Sequence, residues 1–319
     1  MVAIYILISL IVIYLILFII SRCVYGRSVM ATLCEWYLFI TEKRMTDEEV
    51  IKNLPLLPNK NAVEYSLPKK VKITVPYQKI NEYDMQVFYF NTSKKQDTVI
   101  LYLHGGGYVR QPRYRHFKFV NKLSIKSGVT VVFPLYLKAP KYTYKSTYRA
   151  VKELYDKLAN EYDNVILMGD SSGGGLALST CQRLVQDGEK LPAKLILLSP
   201  WVDVSLSNSE VLKYEKYDPI VSVSNERIWG KAFAGDIDVK HKYISPIYGS
   251  MKGLPKTYIV AGTREALYPD LVKTYQVMLS EGVNVTLIEG KGLNHVYPIY
   301  PTIEAKLLLK NFTGIINEK

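Results

Sequence analysis

The chain has 319 residues, a net charge of +12 and a hydrophobic content of 48%, which suits one large α/β domain with a small appendage. It contains no internal repeat and no low-complexity segment, so repeat architectures are excluded. Its three cysteines, Cys23, Cys34 and Cys181, have no metal-site spacing and form no recognisable disulfide framework, and this usage weakly favours a reducing compartment.

The first segment, residues 2–20, carries no charged residue. As a helix it would reach about 28 Å, close to the roughly 30 Å of hydrocarbon in a bilayer. A cleavable signal peptide fits poorly, because no Lys or Arg precedes the stretch and Ser21-Arg22-Cys23 is not a small-residue cleavage site. The segment therefore predicts an uncleaved, single-pass membrane anchor in contact with the lipid bilayer.

Charges beside this anchor indicate its orientation. The basic residues that follow it are Arg22, Arg27, Lys43 and Arg44, and none precedes it. The positive-inside rule therefore predicts a cytoplasmic catalytic domain. Three Asn-x-Ser/Thr sites would suit the opposite side, and they begin at Asn91, Asn284 and Asn311. The second of these falls in a strand that we expect to be interior.

Residues 27–66 are predicted to form juxtamembrane helices. Thr46 followed by Glu49 is a capping-box pattern, which predicts a short helix that ends before Pro55. These helices could cover the active site as part of a lid or serve only as a spacer, and the pattern does not distinguish the two roles.

From there the chain alternates between strands and helices. Strands are predicted over residues 71–77, 85–91, 98–103, 129–134, 164–168, 194–198, 256–260 and 284–288, and helices over 144–162, 174–186, 271–280 and 302–316. This order predicts an α/β fold with a mostly parallel central sheet covered by helices on both faces. The catalytic domain is expected over 67–319, with an insertion at about 206–250 that completes a helical lid. Its aromatic residues, which could line an acyl pocket or only pack the insertion, are Tyr214, Tyr217, Trp229 and Phe233.

Residues 169–174 read Gly-Asp-Ser-Ser-Gly-Gly directly after an apolar strand. A strand that breaks into Gly-x-Ser-x-Gly and then into a small-residue helix is typical of a nucleophile elbow. The tight turn requires glycine beside the serine and exposes its hydroxyl above a helix N-terminus. Ser171 is therefore the candidate nucleophile.

A second motif follows the strand at 98–103, where residues 104–107 read His-Gly-Gly-Gly. Acyl transfer builds negative charge on the carbonyl oxygen, and glycines leave backbone N–H groups uncovered to approach that oxygen. We assign the N–H groups of Gly105, Gly106 and Ser172 to an oxyanion hole. His104 is expected to order this loop rather than act as a base.

These two motifs resemble those of the hormone-sensitive-lipase-like branch of α/β-hydrolases, which includes carboxylesterases and arylacetamide deacetylase. Residues 136–140 and 199–203 also look like stretches of that family, and the resemblance extends from about residue 72 to the C-terminus. Ser172 stands where many members have Ala, which matters little because only its N–H is needed. The resemblance implies an α/β-hydrolase fold, a Ser–His–acid triad and short or medium acyl chains. Arylacetamide deacetylase has a similar anchor but a lumenal domain.

The base and the acid follow from their places in that fold. Of the four histidines, only His295 follows the last predicted strand, where the base is expected. The acid should follow the preceding strand, and Glu265 is the first acidic residue there. Asp270 is the alternative acid, and Asp203 is a third candidate.

Basic residues concentrate between the two motifs: Arg110, Arg113, Arg115, Lys118, Lys122, Lys126, Lys138, Lys141, Lys145, Arg149 and Lys152. No nucleic-acid-binding module accompanies them, so no nucleic acid partner is expected. A basic face near anionic lipid and a generally basic surface both remain open.

Together these features predict a membrane-anchored serine carboxylesterase that acts on a small-molecule acyl ester and needs neither a metal nor an organic cofactor. An amide hydrolase or deacetylase would use the same triad, and a ligand-binding protein on a retired hydrolase fold is the third possibility. The oligomeric state is left open by the sequence.

Overall fold

The centre of the fold is a single eight-stranded sheet. A computed structural model describes residues 1–92 and 96–318. The strands are β1 (Tyr77–Glu82), β2 (Met85–Phe90), β3 (Thr98–Leu103), β4 (Thr130–Leu135), β5 (Asn164–Asp170), β6 (Lys194–Leu198), β7 (Thr257–Gly262) and β8 (Val285–Gly290). Their spatial order is β1-β2-β4-β3-β5-β6-β7-β8.

Pairing is antiparallel at one end of this sheet and parallel elsewhere. β2 runs antiparallel to both β1 and β4, whereas β4, β3, β5, β6, β7 and β8 are parallel. The inner strands are apolar and buried on both sides, as expected for parallel strands covered by helices. The carboxyl ends of the parallel strands meet at one edge of the sheet, which is where an open α/β fold builds its site.

Helices cover both faces, and their bounds are α1 (Val2–Ile19), α2 (Val29–Thr41), α3 (Asp47–Asn53), α4 (Leu57–Ala62), α5 (Tyr114–Ser127), α6 (Tyr144–Glu161), α7 (Ser172–Asp187), α8 (Ser209–Glu215), α9 (Val223–Ala234), α10 (Tyr268–Ser280) and α11 (Ile303–Asn317). Short 3₁₀ turns lie at Leu54–Leu56, Pro246–Tyr248 and Tyr297–Ile299. α6, α7 and α10 pack on one face and α5 and α11 on the other. The predicted fold class is confirmed.

The capping box before α3 forms as expected. The Thr46 hydroxyl accepts a hydrogen bond from the Glu49 N–H at 3.2 Å, and the Glu49 carboxylate accepts one from the Thr46 N–H at 3.0 Å. These bonds satisfy two N–H groups that the first helical turn leaves without partners.

The strand predicted over residues 71–77 is wrong, because no strand lies before Tyr77 in this region. Val71, Ile73 and Val75 alternate because one side of an extended segment packs on the core beside α5. The Thr74 N–H donates to the Asn121 side chain at 3.0 Å instead of to a neighbouring strand. Alternation thus reflects one-sided burial here, without a ladder partner.

Two further differences concern α5 and β8. α5 was not among the predicted helices; its lysines face outward, and its buried side carries Phe117, Val120 and Leu123. β8 is an edge strand rather than an interior one, and Asn284 before it is exposed. The prediction that Asn284 lies in an interior strand is therefore wrong, and burial no longer argues against glycosylation of this residue. The site that begins at Asn91 ends at Ser93, which lies outside the described residues.

The N-terminal helix lies apart from the sheet. α1 continues through a wider turn, Ile20–Val24, and none of the residues of α1 is buried. The combined segment Val2–Val24 has 23 residues and contains an 18-residue stretch with a mean hydropathy of 3.1, so its length and composition suit a membrane span. A signal sequence near the N-terminus would have the same properties.

The residues after this helix, Tyr25 to Ser28, form a joint with the loop after β8 and with α11. The Arg27 guanidinium donates to the Gly292 carbonyl at 2.6 Å, and the Ser28 N–H donates to Glu304 at 2.6 Å. Gly292 has a positive φ of 69°, and a Cβ there would lie 2.0 Å from the Tyr25 carbonyl oxygen. Only glycine lets these two chain segments approach so closely.

Candidate active site

The elbow after β5 holds Ser171 in a strained conformation. Its φ is 50° and its ψ is −122°, and α7 begins at the next residue. A Cβ on Gly173 would lie 2.1 Å from the Leu103 carbonyl oxygen, and one on Gly169 would lie 2.5 Å from the Gly173 carbonyl oxygen. The turn therefore closes only with glycine at both positions.

The structure brings the three predicted triad residues together in one chain of contacts. His295 Nε2 lies 3.0 Å from Ser171 Oγ, and His295 Nδ1 lies 3.1 Å from Glu265 Oε2. Ser171 follows β5, Glu265 follows β7 and His295 follows β8. A neutral imidazole with its proton on Nδ1 can donate to Glu265 and accept the Ser171 hydroxyl proton at Nε2.

The other two candidate acids have different partners. Asp270 lies on α10 and accepts a hydrogen bond from the Asn208 side chain at 2.8 Å. Burial raises the pKa of Asp270 to about 6, although the bond from Asn208 opposes this shift. Asp203 accepts hydrogen bonds from the Ser205 N–H at 2.9 Å and from Tyr248 at 3.1 Å. Glu265, which is wholly buried, is the acid that the geometry favours.

Nearby carboxylates shift the pKa of His295, the candidate base. Burial alone would lower the pKa of His295, but the hydrogen bond and charge of Glu265, together with Asp218 and Glu226, raise it above its ordinary value. Asp218 accepts hydrogen bonds from the N–H groups of Ala266 and Ile220 at 2.8 Å each. It thereby ties the loop that carries Glu265 to the segment between α8 and α9.

The predicted oxyanion hole lies beside the serine. The backbone N–H groups of Gly105 and Gly106 find no acceptor among residues 1–92 and 96–318. The Ser172 N–H is at the first turn of α7, where helix N–H groups have no partner within the helix. A Cβ on Gly105 would lie 2.4 Å from Asp170 Oδ2 and 2.9 Å from Ser171 Cβ. The backbone at Gly105 therefore lies directly against the elbow that carries Ser171.

His104 is part of the support for that loop. Its Nδ1 donates to the Gly105 carbonyl at 2.6 Å, and its ring stacks on Tyr136 with centroids 4.5 Å apart. Burial, together with the charge of Lys138, lowers the pKa of His104 well below its ordinary value. This arrangement agrees with an ordering role.

Three residues near the site were not found by the sequence reasoning. His116 lies 3.2 Å from Asp170, which also accepts a hydrogen bond from Tyr102 at 2.7 Å. Asp218 and Glu226 come from the insertion, and burial raises the pKa of Glu226 to about 7. Unlike the elbow, these residues have no local motif, so no signal in the sequence could have singled them out.

A small cleft of about 70 Å³ opens onto Ser171. Its walls include Gly106, Arg110, Arg113, Ile220 and Trp229. Of the four aromatic residues predicted in the insertion, Trp229 lines this cleft, whereas Phe233 stacks on Tyr108 with centroids 3.8 Å apart. Tyr214 packs against Tyr268, and Tyr217 lies under the Arg264 guanidinium.

Three of the basic residues between the motifs contact other protein groups near the site. Arg110 lies over the Trp229 ring at 4.0 Å, and Arg113 pairs with Glu42. Burial lowers the pKa of Lys138 to about 7, and its ammonium group donates to the Tyr136 carbonyl at 2.6 Å.

In the described part of the chain, no three His, Cys, Asp or Glu side chains converge in a way that would hold a metal ion.

Comparison with known proteins gives a consistent picture. Residues 100–299 match the family described as alpha/beta hydrolase fold. A Staphylococcus aureus protein assigned as an esterase is 31% identical, with a TM-score of 0.83 over 88% of this chain and 96% of that one. An acetyl-hydrolase of Streptomyces hygroscopicus is 27% identical over 211 residues, which is 65% of this chain and 71% of that protein.

A third similar structure is an esterase from the bacterial hormone-sensitive lipase family. It is 23% identical and has a TM-score of 0.76 over 92% of this chain and 98% of its own, so it shares the fold. The family match covers well over half of the sequence. The chain belongs to the α/β-hydrolase family, and it resembles the esterases of the hormone-sensitive-lipase-like branch.

Proposed function

We propose that this esterase-like α/β-hydrolase is a membrane-anchored serine carboxylesterase with Ser171, His295 and Glu265 as its triad. The observation that carries the proposal is the continuous contact from Ser171 Oγ through His295 to Glu265, at 3.0 and 3.1 Å. The N–H groups of Gly105 and Gly106, which have no acceptor in the described part of the chain, support it. Binding without catalysis would not need all of these groups in place.

Acylation begins when the Ser171 hydroxyl attacks the ester carbonyl. His295 Nε2 takes the hydroxyl proton as the new O–C bond forms, and Glu265 stabilises the imidazolium. The N–H groups of Gly105, Gly106 and Ser172 stabilise the tetrahedral oxyanion. When that intermediate collapses, the C–O bond to the alcohol breaks, and His295 returns the proton to the departing alkoxide.

Deacylation repeats these steps with water as the nucleophile. His295 removes a proton from the water as it attacks the acyl-enzyme carbonyl, and it then protonates Ser171 Oγ as the acid departs. No co-reactant other than water is consumed. Each turnover converts one ester and one water into an acid and an alcohol.

A fluorophosphonate probe tests the proposed nucleophile. We expect covalent labelling of the full chain at Ser171, located by mass spectrometry of the labelled peptide, and no labelling of Ser171→Ala. A folded wild-type chain that stays unlabelled would exclude the hydrolase proposal and leave a ligand-binding protein. A matched pair of substrates, one ester and one amide with the same acyl group, then distinguishes an esterase from an amide hydrolase.

The substrate is proposed to have a short or medium acyl chain. The cleft of about 70 Å³ supports this, and so does the similarity to an acetyl-hydrolase. A panel of esters with graded acyl length should give its highest kcat/KM at the short end. A maximum at long triglycerides would contradict the proposal.

The anchor is proposed to place the catalytic domain in the cytoplasm. The segment Val2–Val24 carries no charge apart from Arg22, and the basic residues near it all follow residue 20. Both features support this orientation. Protease added to intact cells or right-side-out vesicles should leave the domain uncut. Digestion there, or glycosylation at Asn284, would reverse the orientation.

A further inference from the structure

The second helix, α2, buries polar side chains and exposes a large apolar face. Its buried residues are Ala31, Thr32, Glu35 and Leu38, so half of them are polar, whereas its exposed residues before the terminal Thr41 are all apolar: Met30, Leu33, Trp36, Tyr37, Phe39 and Ile40. Tyr37 is 54% exposed and Ile40 is 84% exposed. A helix on the surface of a protein in water has the reverse arrangement, because exposing several large apolar side chains together is unfavourable.

Buried charges hold this orientation of α2. Glu35 accepts a hydrogen bond from Arg27 at 2.5 Å and pairs with Arg264 at 3.2 Å. Arg27 and Glu35 are each 1% exposed. Because breaking a buried pair leaves an uncompensated charge, these contacts fix which side of α2 faces the protein and which side faces outward.

The location of α2 indicates what covers its apolar face. Only four residues separate α2 from the apolar segment that ends at Val24. A bilayer crossed by that segment therefore lies within a few residues of α2. With 13 residues, α2 is about 20 Å long, too short to cross the hydrocarbon but suited to lie along its boundary. Trp36 and Tyr37 are the aromatic types enriched at that depth.

The C-terminal end of α2 leads to the active site. A cavity of about 170 Å³ is bounded on one side by Glu42 and Met45, which follow α2. Arg110, Arg113, Ile220 and Trp229 line this cavity and also line the cleft at Ser171. The pair between Glu42 and Arg113 lies where the two spaces meet.

We propose that the exposed apolar face of α2 rests in the interfacial layer of a lipid bilayer, and that esters dissolved in the membrane reach Ser171 through the cavity at its C-terminal end. The first part of this inference rests on the proposed membrane anchor, and the second part rests also on the proposed esterase function. It adds a contact surface and an entry route that a simple tether would not provide.

Tryptophan fluorescence tests the contact. Of the three tryptophans, Trp36 is 39% exposed, whereas Trp201 and Trp229 are 1% and 5% exposed. The full chain is incorporated into phosphatidylcholine–phosphatidylglycerol vesicles with or without brominated acyl chains. We expect lower emission in the brominated vesicles and no such loss in Trp36→Phe. Equal emission of the wild type in both vesicles would overturn the inference.

Activity tests the entry route. Ile40→Lys should lower hydrolysis of a vesicle-dissolved ester severalfold and leave a water-soluble ester unaffected. Leu279→Lys is the matched control, because Leu279 is an exposed apolar residue on α10. Unchanged hydrolysis of the vesicle-dissolved ester by Ile40→Lys would overturn the entry route. If the apolar face of α2 instead binds a second copy of the chain, that self-association would overturn the inference of lipid contact.

Fluorophosphonate labelling separates the two proposals. If Ser171 is labelled but Trp36 is not quenched, the membrane-contact inference fails and the esterase proposal stands. If Trp36 is quenched but Ser171 is not labelled, the esterase proposal and the entry route fail together, and the contact surface alone stands.

Discussion

The carboxyl edge of the sheet differs in its construction from the helical cover above it, which consists of α3 and of the insertion that carries α8 and α9. At the edge, glycines close turns so tight that a Cβ on Gly173 would lie 2.1 Å from a carbonyl oxygen. In the cover, polar contacts such as Arg44 to the Asp218 carbonyl, at 2.6 Å, connect short helices around open cavities. The first region holds the candidate reacting groups at fixed distances, whereas the second surrounds them with cavity walls and with the charges of Asp218 and Glu226. Chemistry is therefore expected to depend on the edge, and selectivity on the cover.

The largest effect should come from the edge. Ser171→Ala or His295→Ala should lower kcat/KM for a soluble ester by roughly 10⁴- to 10⁶-fold, because each removes a group that the triad uses as a unit. Circular dichroism should show an intact fold in both variants. A tenfold loss or less in either variant would assign the chemistry to another group.

The choice of acid predicts a somewhat smaller loss. Glu265→Gln should lower kcat by about 10²- to 10⁴-fold, because the imidazolium loses its stabilising charge. Asp270→Asn is the control and should remain close to wild type in kcat, since Asp270 pairs with Asn208. The reverse pattern would identify Asp270 as the acid.

Two glycine substitutions compare the sheet edge with an open position on α11 through stability. Gly173→Ala should destabilise the protein by roughly 1–3 kcal/mol or more, because backbone atoms cannot move aside as a flexible side chain can. Gly314→Ala should be neutral or stabilising by about 0.5–1 kcal/mol, because a Cβ at this position in α11 meets no atom within 4 Å. Urea titrations measure both, and equal midpoints would contradict the tight packing of the elbow.

The pH profile reports the charges around the base. His295 must be neutral to accept a proton, so kcat/KM falls as the pH drops below its pKa. Because that pKa is raised, the acidic limb should have its midpoint above 6.5. Glu265→Gln removes the main raising charge and should move the midpoint of the residual activity to lower pH. A midpoint that does not move would separate Glu265 from the base.

The smallest effect on turnover should come from the cover. Trp229→Ala enlarges the cleft and should shift the acyl-length preference toward longer chains by a few fold. Phe233→Ala removes a buried ring stacked on Tyr108, so it should cost about 3–5 kcal/mol of stability and leave the preference unchanged. An unchanged length profile in Trp229→Ala would restrict that residue to packing.

The features that could be predicted from the sequence are those that depend on residues adjacent in the chain. The strand, the serine and the glycines of the elbow are consecutive, and His295 and Glu265 each follow a strand with a clear apolar run. Val71 to Val75 alternate like a strand, but whether a partner strand lies beside them depends on distant residues. Asp218 and Glu226 reach His295 only because the insertion folds over the sheet edge, and no spacing encodes that approach.

The joint between Arg27 and Gly292 affects how the protein can be shortened. The Arg27 guanidinium is bonded to a loop that reaches His295 three residues later, and the Tyr25 carbonyl lies against the same glycine. Deleting α1 alone leaves these contacts in place. Deleting through Ser28 would leave Glu35 buried without Arg27 and loosen the loop beside the proton acceptor. A shortened protein for crystallisation should therefore keep the residues from Ser21 onward, so that all contacts of the joint are preserved.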